Sequence, residues 1–211
     1  EPVGVCAGIY AWNFPLALAT WKLGPALATG CTMILKPAEQ TPLSALRLGE
    51  LALEAGLPNG VLSILTGYGD VGAALVKHGG IDKVSFTGST EVGREILSQN
   101  GNPNIKRITL ELGGKSANVI LNDADIDLAV QQSQIGLFFN QGQCCIAGSR
   151  TYVQSKIYDE FIERTSHATK KRILGDPFHK DTTQGPQVDK IQQDKIHGYI
   201  KTGITEGARV V

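Results

Sequence analysis

The stretch KVSFTGSTEVGREILSQ, residues 83–99, sets a short β-rich run (83–86) before a glycine turn and a helix-like segment (90–99). The same order recurs through the first half of the chain. β-rich runs at 3–9, 32–35, 61–65 and 107–110 alternate with helix-like segments at 16–29, 44–55 and 70–78, the first expected to break at Gly24-Pro25. Short strands separated by helices require right-handed crossovers, which make the strands parallel. The expected fold class is α/β: an open, parallel, Rossmann-like sheet followed by the start of a second α/β domain. After Gly114 the rhythm restarts with a strand at 118–121, a helix opened by Asp123 or Asp125, a strand near 151–154, and helices at 158–171 and around 193–202. The polar run GDPFHKDTTQGP at 175–186 reads as a loop. A boundary near Gly113-Gly114 gives domains over 1–113 and 114–211.

Composition narrows the function. Twenty basic and twenty acidic side chains cancel in 211 residues, which leaves no electrostatic case for nucleic acid or an anionic membrane as partner. Hydrophobic residues at 42% and 25 glycines suit a well-buried sheet with many tight turns. No apolar run approaches the roughly 20 residues of a membrane span. Cys6, Cys31, Cys144 and Cys145 lack the spacing of a disulfide framework and point to a reducing compartment. The chain opens on Glu-Pro-Val and closes on Ala-Arg-Val-Val in an expected strand, so it reads as a piece of a longer protein.

Two segments fit the strand, glycine turn and helix that hold phosphates. GYGDVG at 67–72 matches G-x-G-x-x-G; GSTEVG at 88–93 keeps the first and third glycines but has threonine at the second. Each would aim backbone N–H groups and a helix's positive end at a pyrophosphate. An ordinary strand-to-helix turn explains either about as well. The Gly67 match also lacks its acidic partner: about 20 positions further on lies Glu91, inside an expected helix. Lys36-Pro37-Ala38-Glu39 directly follows the strand at 32–35. There Glu39 can accept hydrogen bonds from ribose hydroxyls and Lys36 can donate to them; a solvated charge pair is the plainer alternative.

FFNQGQCCIAGSR, residues 138–150, puts adjacent thiols among residues too small to bury them. Cys6 and Cys31, on apolar segments, read instead as small buried hydrophobes. LELGGKSA at 110–117 resembles the glutamate signature of aldehyde dehydrogenases. Phe138, Gly142, Gln143 and Cys145 with IAGS at 146–149 resemble their cysteine signature. AWNFP at 11–15, LKPAEQTP at 35–42 and FTGSTEVG at 86–93 are similar to further family segments, and all stand in family order. The nearest likeness is to the NAD-dependent class that oxidises retinal and small aliphatic aldehydes.

That resemblance implies oxidation of an aldehyde to a carboxylic acid with NAD+. It makes Cys145 the nucleophile, whose thiolate forms a hemithioacetal that gives up hydride and leaves a thioester. Cys144 is then a structural neighbour. Glu111, expected half-buried at a strand end, would activate the water that hydrolyses the thioester. Its presence favours hydrolysis over acyl transfer to coenzyme A. Asn13 would hold the oxyanion with the Cys145 backbone N–H. For the cofactor, the resemblance puts Gly88, Ser89 and Gly93 at the pyrophosphate, ahead of Gly67. Gly69 would face the adenine side, Lys36 and Glu39 the ribose, and Gln192 the nicotinamide ribose, with Ile9 and Trp12 also in the cofactor site. Glu39 would repel a 2′-phosphate, which favours NAD over NADP. No metal is expected.

The domain over 1–113 would therefore bind NAD and the domain over 114–211 would carry catalysis, each lacking a part. The parent is expected to be a homodimer or homotetramer of the cytoplasm or mitochondrial matrix. Two other readings stand beside this one. A cysteine acyl hydrolase without nucleotide is disfavoured because His78, His167, His179 and His197 fall outside every motif. A catalytically silent, crystallin-like relative is disfavoured because Cys145, Glu111 and Asn13 are all retained.

Overall fold

The structure, a computed structural model, describes residues 1–101 and 103–211 as two compact units, Glu1–Gly113 and Gly114–Val211. The first unit carries five parallel strands, β1 (Val5–Ile9), β2 (Thr32–Lys36), β3 (Leu62–Ile64), β4 (Lys83–Gly88) and β5 (Arg107–Leu112). Their spatial order is β3-β2-β1-β4-β5. Four helices connect them: α1 (Pro15–Ala28), α2 (Leu43–Glu54), α3 (Gly69–Lys77) and α4 (Thr90–Ser98).

The period-2 alternation of side chains splits the sheet into two faces. On one face, Cys6 and Tyr10 of the β1 segment and Met33 and Leu35 of β2 bury against Leu18, Ala19, Leu23 and Ala26 of α1. On the other, Ala7, Val84 and Phe86 bury against Leu75 and Val76 of α3 and Ile96 of α4. The central strand is thus apolar on both sides, as a parallel sheet covered by helices demands. Gly8 lies in register with Leu35 and Ser85. A Cβ there would stand 2.5 Å from Met33 Cε and 3.1 Å from Lys22 Cδ, so the bare backbone leaves room for side chains crossing the sheet.

In the second unit β6 (Ala117–Ile120) and β7 (Arg150–Val153) pair in parallel, joined across α5 (Ile126–Phe138). α6 (Tyr158–Lys170) and α7 (Lys190–Thr205) follow. Ile120, Val130 and Phe161 form its buried core. Asp125, not Asp123, opens α5: its carboxylate accepts the Leu128 N–H at 3.1 Å. Asp189 caps α7 in the same way and starts that helix three residues earlier than its apolar pattern suggests.

Two expectations need correction. α1 runs unbroken through Gly24-Pro25. Proline forfeits one backbone donor, but Leu23 and Ala26 on either side of it are both buried in the core and keep the helix on the sheet. Residues 208–211 form no strand; an apolar run becomes one only where a neighbouring strand takes its hydrogen bonds. Among the described residues no helix is long and apolar enough to cross a membrane.

Candidate active site

Because all five strands of the first unit are parallel, their carboxyl ends lie along one edge. Most of the residues singled out for the site in this unit fall there. Ile9 ends β1, and Trp12 and Asn13 follow before α1; Lys36 ends β2, with Glu39 in the next loop. Gly69 opens α3 after β3, Gly88 ends β4, Ser89 follows it, and Glu111 is the penultimate residue of β5. The chain builds outward from β1 through β2 to β3, then resumes on the other side with β4 and β5. The crevice where that direction reverses lies between β1 and β4, the position at which open α/β sheets bind ligands.

Ser89 caps α4, its hydroxyl accepting the Val92 N–H at 3.2 Å while its carbonyl takes the Gly93 N–H at 3.0 Å. The N–H groups of the first helical residues point outward without intrahelical partners, as at any helix start. A Cβ at Gly88 would meet Phe86 Cζ at 2.4 Å, so the backbone there is necessarily bare. Gly93 is buried, and a Cβ would stand 2.9 Å from Leu112 Cδ2: here glycine lets α4 lie close on β5. Bare backbone ahead of a helix start is a cradle that fits a pyrophosphate. The Gly67 turn, although the more regular match, follows the edge strand β3.

Lys36 is buried, donates to the Pro37 carbonyl at 3.0 Å and lies 3.9 Å from the Glu39 carboxylate. Burial lowers the pKa of its ammonium, with the charges of Glu39 and Asp70 opposing. Glu39 itself is exposed and available to a polar ligand.

Glu111 is exposed, and the half-buried setting expected for it is not found. Arg107, Thr109 and Glu111 form the exposed face of β5, while Ile108, Leu110 and Leu112 of the opposite face pack beside α3 and α4.

One neighbouring residue was not singled out from the sequence. Lys22 is buried on α1 and donates to Ser85 Oγ at 3.1 Å and Thr87 Oγ1 at 2.9 Å. Thr87 stands in register with Glu111. Burial drives the Lys22 pKa down from its ordinary 10.5 to about 8; the Glu111 charge opposes this, and the like charge of Lys83 adds to it.

In the second unit the 138–150 segment forms the crossover from α5 to β7. Phe139–Gly142 is a single 3-10 turn in which Asn140 (φ 49°), Gln141 (φ 57°) and Gly142 (φ 76°) are all left-handed. Two such non-glycine residues in a row carry strain. Hydrogen bonds hold them: Gln187 Nε2 donates to the Gln141 carbonyl at 3.2 Å, and Gln143 Oε1 accepts the Val188 N–H at 3.1 Å. The half-buried Cys144 and Cys145 follow. The Gly114 backbone passes so near that a Cβ would stand 3.2 Å from the Cys145 carbonyl oxygen, and Gly148 lies against Asn118. The small residues around the thiols therefore serve close backbone packing. Gln192 sits in the first turn of α7, its N–H bonded to the Asp189 carboxylate at 2.8 Å.

An open parallel sheet with its polar loops on one edge, followed by a second α/β unit that presents a paired-thiol turn, defines a Rossmann-like α/β class of protein. The sequence pattern of the aldehyde dehydrogenase family matches residues 1–211, and the chain belongs to that family. It is 58% identical over 212 residues to the human protein named aldehyde dehydrogenase, mitochondrial, covering all of this chain and 41% of that one. Retinal dehydrogenase 2 of Gallus gallus is 58% identical over 211 residues, with the same coverage. An aldehyde dehydrogenase from Bacillus cereus, solved as its NAD+ complex, superposes with a TM-score of 0.97 at 50% identity, over all of this chain and 43% of that one. Betaine aldehyde dehydrogenase from Staphylococcus aureus, solved with NAD+, gives 0.97 at 44% identity over 100% and 42% of the two chains. The chain thus spans about two fifths of the curated relatives it matches.

Proposed function

We propose that the protein to which this chain belongs oxidises an aldehyde to a carboxylic acid with NAD+. The observation that carries this reading is the collection of Asn13, Lys36, Glu39, Gly88, Ser89 and Glu111 at the carboxyl ends of parallel strands, in a chain of this family that also retains Cys145. The first unit binds the nucleotide and the second supplies the nucleophile. Gly88, Ser89 and Gly93 receive the pyrophosphate, Lys36 and Glu39 the ribose, and Gly69 borders the adenine; Ile9, Trp12 and Gln192 are further residues assigned to the cofactor. When bound, NAD+ supplies the hydride acceptor. Glu39 disfavours a 2′-phosphate by charge repulsion, so NAD is preferred over NADP.

Cys145 attacks the carbonyl carbon as a thiolate. The Asn13 amide and the Cys145 N–H stabilise the oxyanion, and a single donor of this kind is worth about 10²–10³ in rate. Glu111 then takes a proton from the water that cleaves the thioester. The exposed face of β5 leaves its carboxylate open to that water. The names of the relatives favour retinal among aldehyde substrates and a mitochondrial location; the family resemblance adds small aliphatic aldehydes, a cytoplasmic location and a homodimer or homotetramer as the working assembly.

The test is NADH formation at 340 nm by the full-length parent with a panel of aldehydes and both nucleotides. Cys145→Ala should remove at least about 10³-fold of the rate, in keeping with the loss of a covalent nucleophile, whereas Cys144→Ala should retain most of it. Equal loss in both variants would overturn the assignment of the nucleophile.

A further inference from the structure

Cys6 and Cys31 have no part in the reaction above, yet they form a pair. Cys6 lies on β1 in register with Met33, and Cys31 precedes that residue by two, so both occupy the same sheet face at the end remote from the loops. Both sulfurs sit against the same short stretch of backbone: that of Cys6 lies 3.9 Å from the Gly4 carbonyl oxygen. The Val3 N–H also donates to the Cys31 sulfur at 3.2 Å, and Thr29 Oγ1 lies 3.5 Å from it. These contacts favour negative charge on one sulfur only. The Thr29 hydroxyl, followed by the Val3 N–H, lowers the Cys31 pKa to about 7, while burial and the neighbouring Cys31 raise Cys6 to about 11. Gly4 (φ 119°) and Gly30 (φ 80°) flank the pair, both in left-handed conformations. At 4% and 3% residue exposure, Cys6 and Cys31 favour reaction with a small oxidant over a bulky thiol.

We propose that Cys6 and Cys31 are a hydroperoxide-sensitive dithiol that closes to an intramolecular disulfide, separate from the catalytic cysteine. The Cys31 thiolate attacks the O–O bond of a hydroperoxide, forming an S–O bond and releasing an alcohol, or water from hydrogen peroxide. The Cys6 sulfur then attacks the resulting sulfenic sulfur. The S–S bond forms, and the S–O bond breaks as the hydroxyl leaves with the Cys6 proton as water. Two thiols lose two electrons and the peroxide gains them. The closure draws the sulfurs to the ~2.05 Å of a disulfide and ties the entry of β2 to β1. A dithiol reductant reverses it.

The test uses the full-length parent carrying Cys145→Ala, which leaves both proposed cysteines in place. It is exposed to hydrogen peroxide, unfolded, alkylated and mapped as peptides without reduction. The expected result is one cross-linked peptide pair joining Cys6 and Cys31, the loss of two alkylatable thiols, and recovery of both on treatment with dithiothreitol. In Cys6→Ser the cross-link should vanish and Cys31 should carry sulfenic or sulfinic acid instead. Recovery of both residues as free alkylated thiols would overturn the proposal. So would a sulfinic Cys31 without a cross-link in the Cys145→Ala protein, or a link from either residue to Cys144.

Discussion

Lys22 is a cation inside an apolar stripe, and its chemistry follows from that placement. Leu18, Ala19, Leu23 and Ala26 recur at helical spacing, and the lysine among them was the one sequence signal for a buried charge on α1. The sign of its effect on stability is fixed by its pKa of about 8 against 10.5 in the unfolded chain. Between those values the unfolded chain binds more protons than the folded one, so the Lys22 contribution rises with pH; below about 8 the full cost of the buried cation is present. In Lys22→Met that contribution disappears. Melting curves at pH 7.5, 8.5 and 9.5 should show the unsubstituted protein gaining on the variant as pH rises, and a difference flat across that range would falsify the buried-cation account. Glu111 was legible by its signature, but its exposure was not, because exposure depends on which helix covers β5. Glu111→Gln in the full-length parent should release one burst of NADH per site and then stall with an acylated cysteine, read by rapid mixing and intact mass. Undiminished steady turnover would remove Glu111 from the role of base.

At the scale of the element, α4 and the turn before it separate what local sequence shows from what it hides. Alternation of strands and helices was legible because each element needs only its own residues: all five strands of the first unit fall where the β-rich runs lie. Strand order was not, since pairing of β1 with β4 joins residues almost eighty positions apart. Regularity of spacing favoured the Gly67 turn on the edge strand; the family resemblance preferred the Gly88 turn, and the sheet order gives the physical reason, since that turn stands at the crevice. One glycine from each of α3 and α4 makes this measurable. Gly93→Ala drives a Cβ to 2.9 Å from Leu112 Cδ2 and should cost about 1–3 kcal/mol through overpacking. At Gly69 a Cβ would meet nothing within 4 Å, so Gly69→Ala should leave stability unchanged or raise it by up to about 1 kcal/mol. Ser89→Ala should cost about 1 kcal/mol through the lost cap and also weaken NAD binding by the parent. Urea denaturation and nucleotide titration of the three variants distinguish these outcomes. A Gly93→Ala protein as stable as the original would mean that α4 does not pack as closely on β5 as described.

The two units, taken as whole bodies, are unequally furnished with core. The first buries two clusters, one on each face of a five-stranded sheet. The second buries Ile120, Val130 and Phe161 around a two-stranded sheet, and a sheet of that size is marginal without further packing. Many of its other apolar residues are turned to solvent: Val119 is 64% exposed, Tyr152 53%, and on α7 Ile191 80% and Tyr199 70%. Apolar surface of this extent marks places where other protein normally packs, in keeping with a chain that spans about two fifths of its relatives. Local stability follows buried contacts, so amide hydrogen exchange on this 211-residue chain should show strong protection in β1, β2 and β4 and fast exchange in β6, β7 and α7. In the full-length parent the second group should slow by at least about 10²-fold while the first changes little, because burying even a few of those side chains contributes several kcal/mol. Protection of β6 and β7 in the short chain equal to that of β1 would mean that the second unit is held together by something other than the packing described.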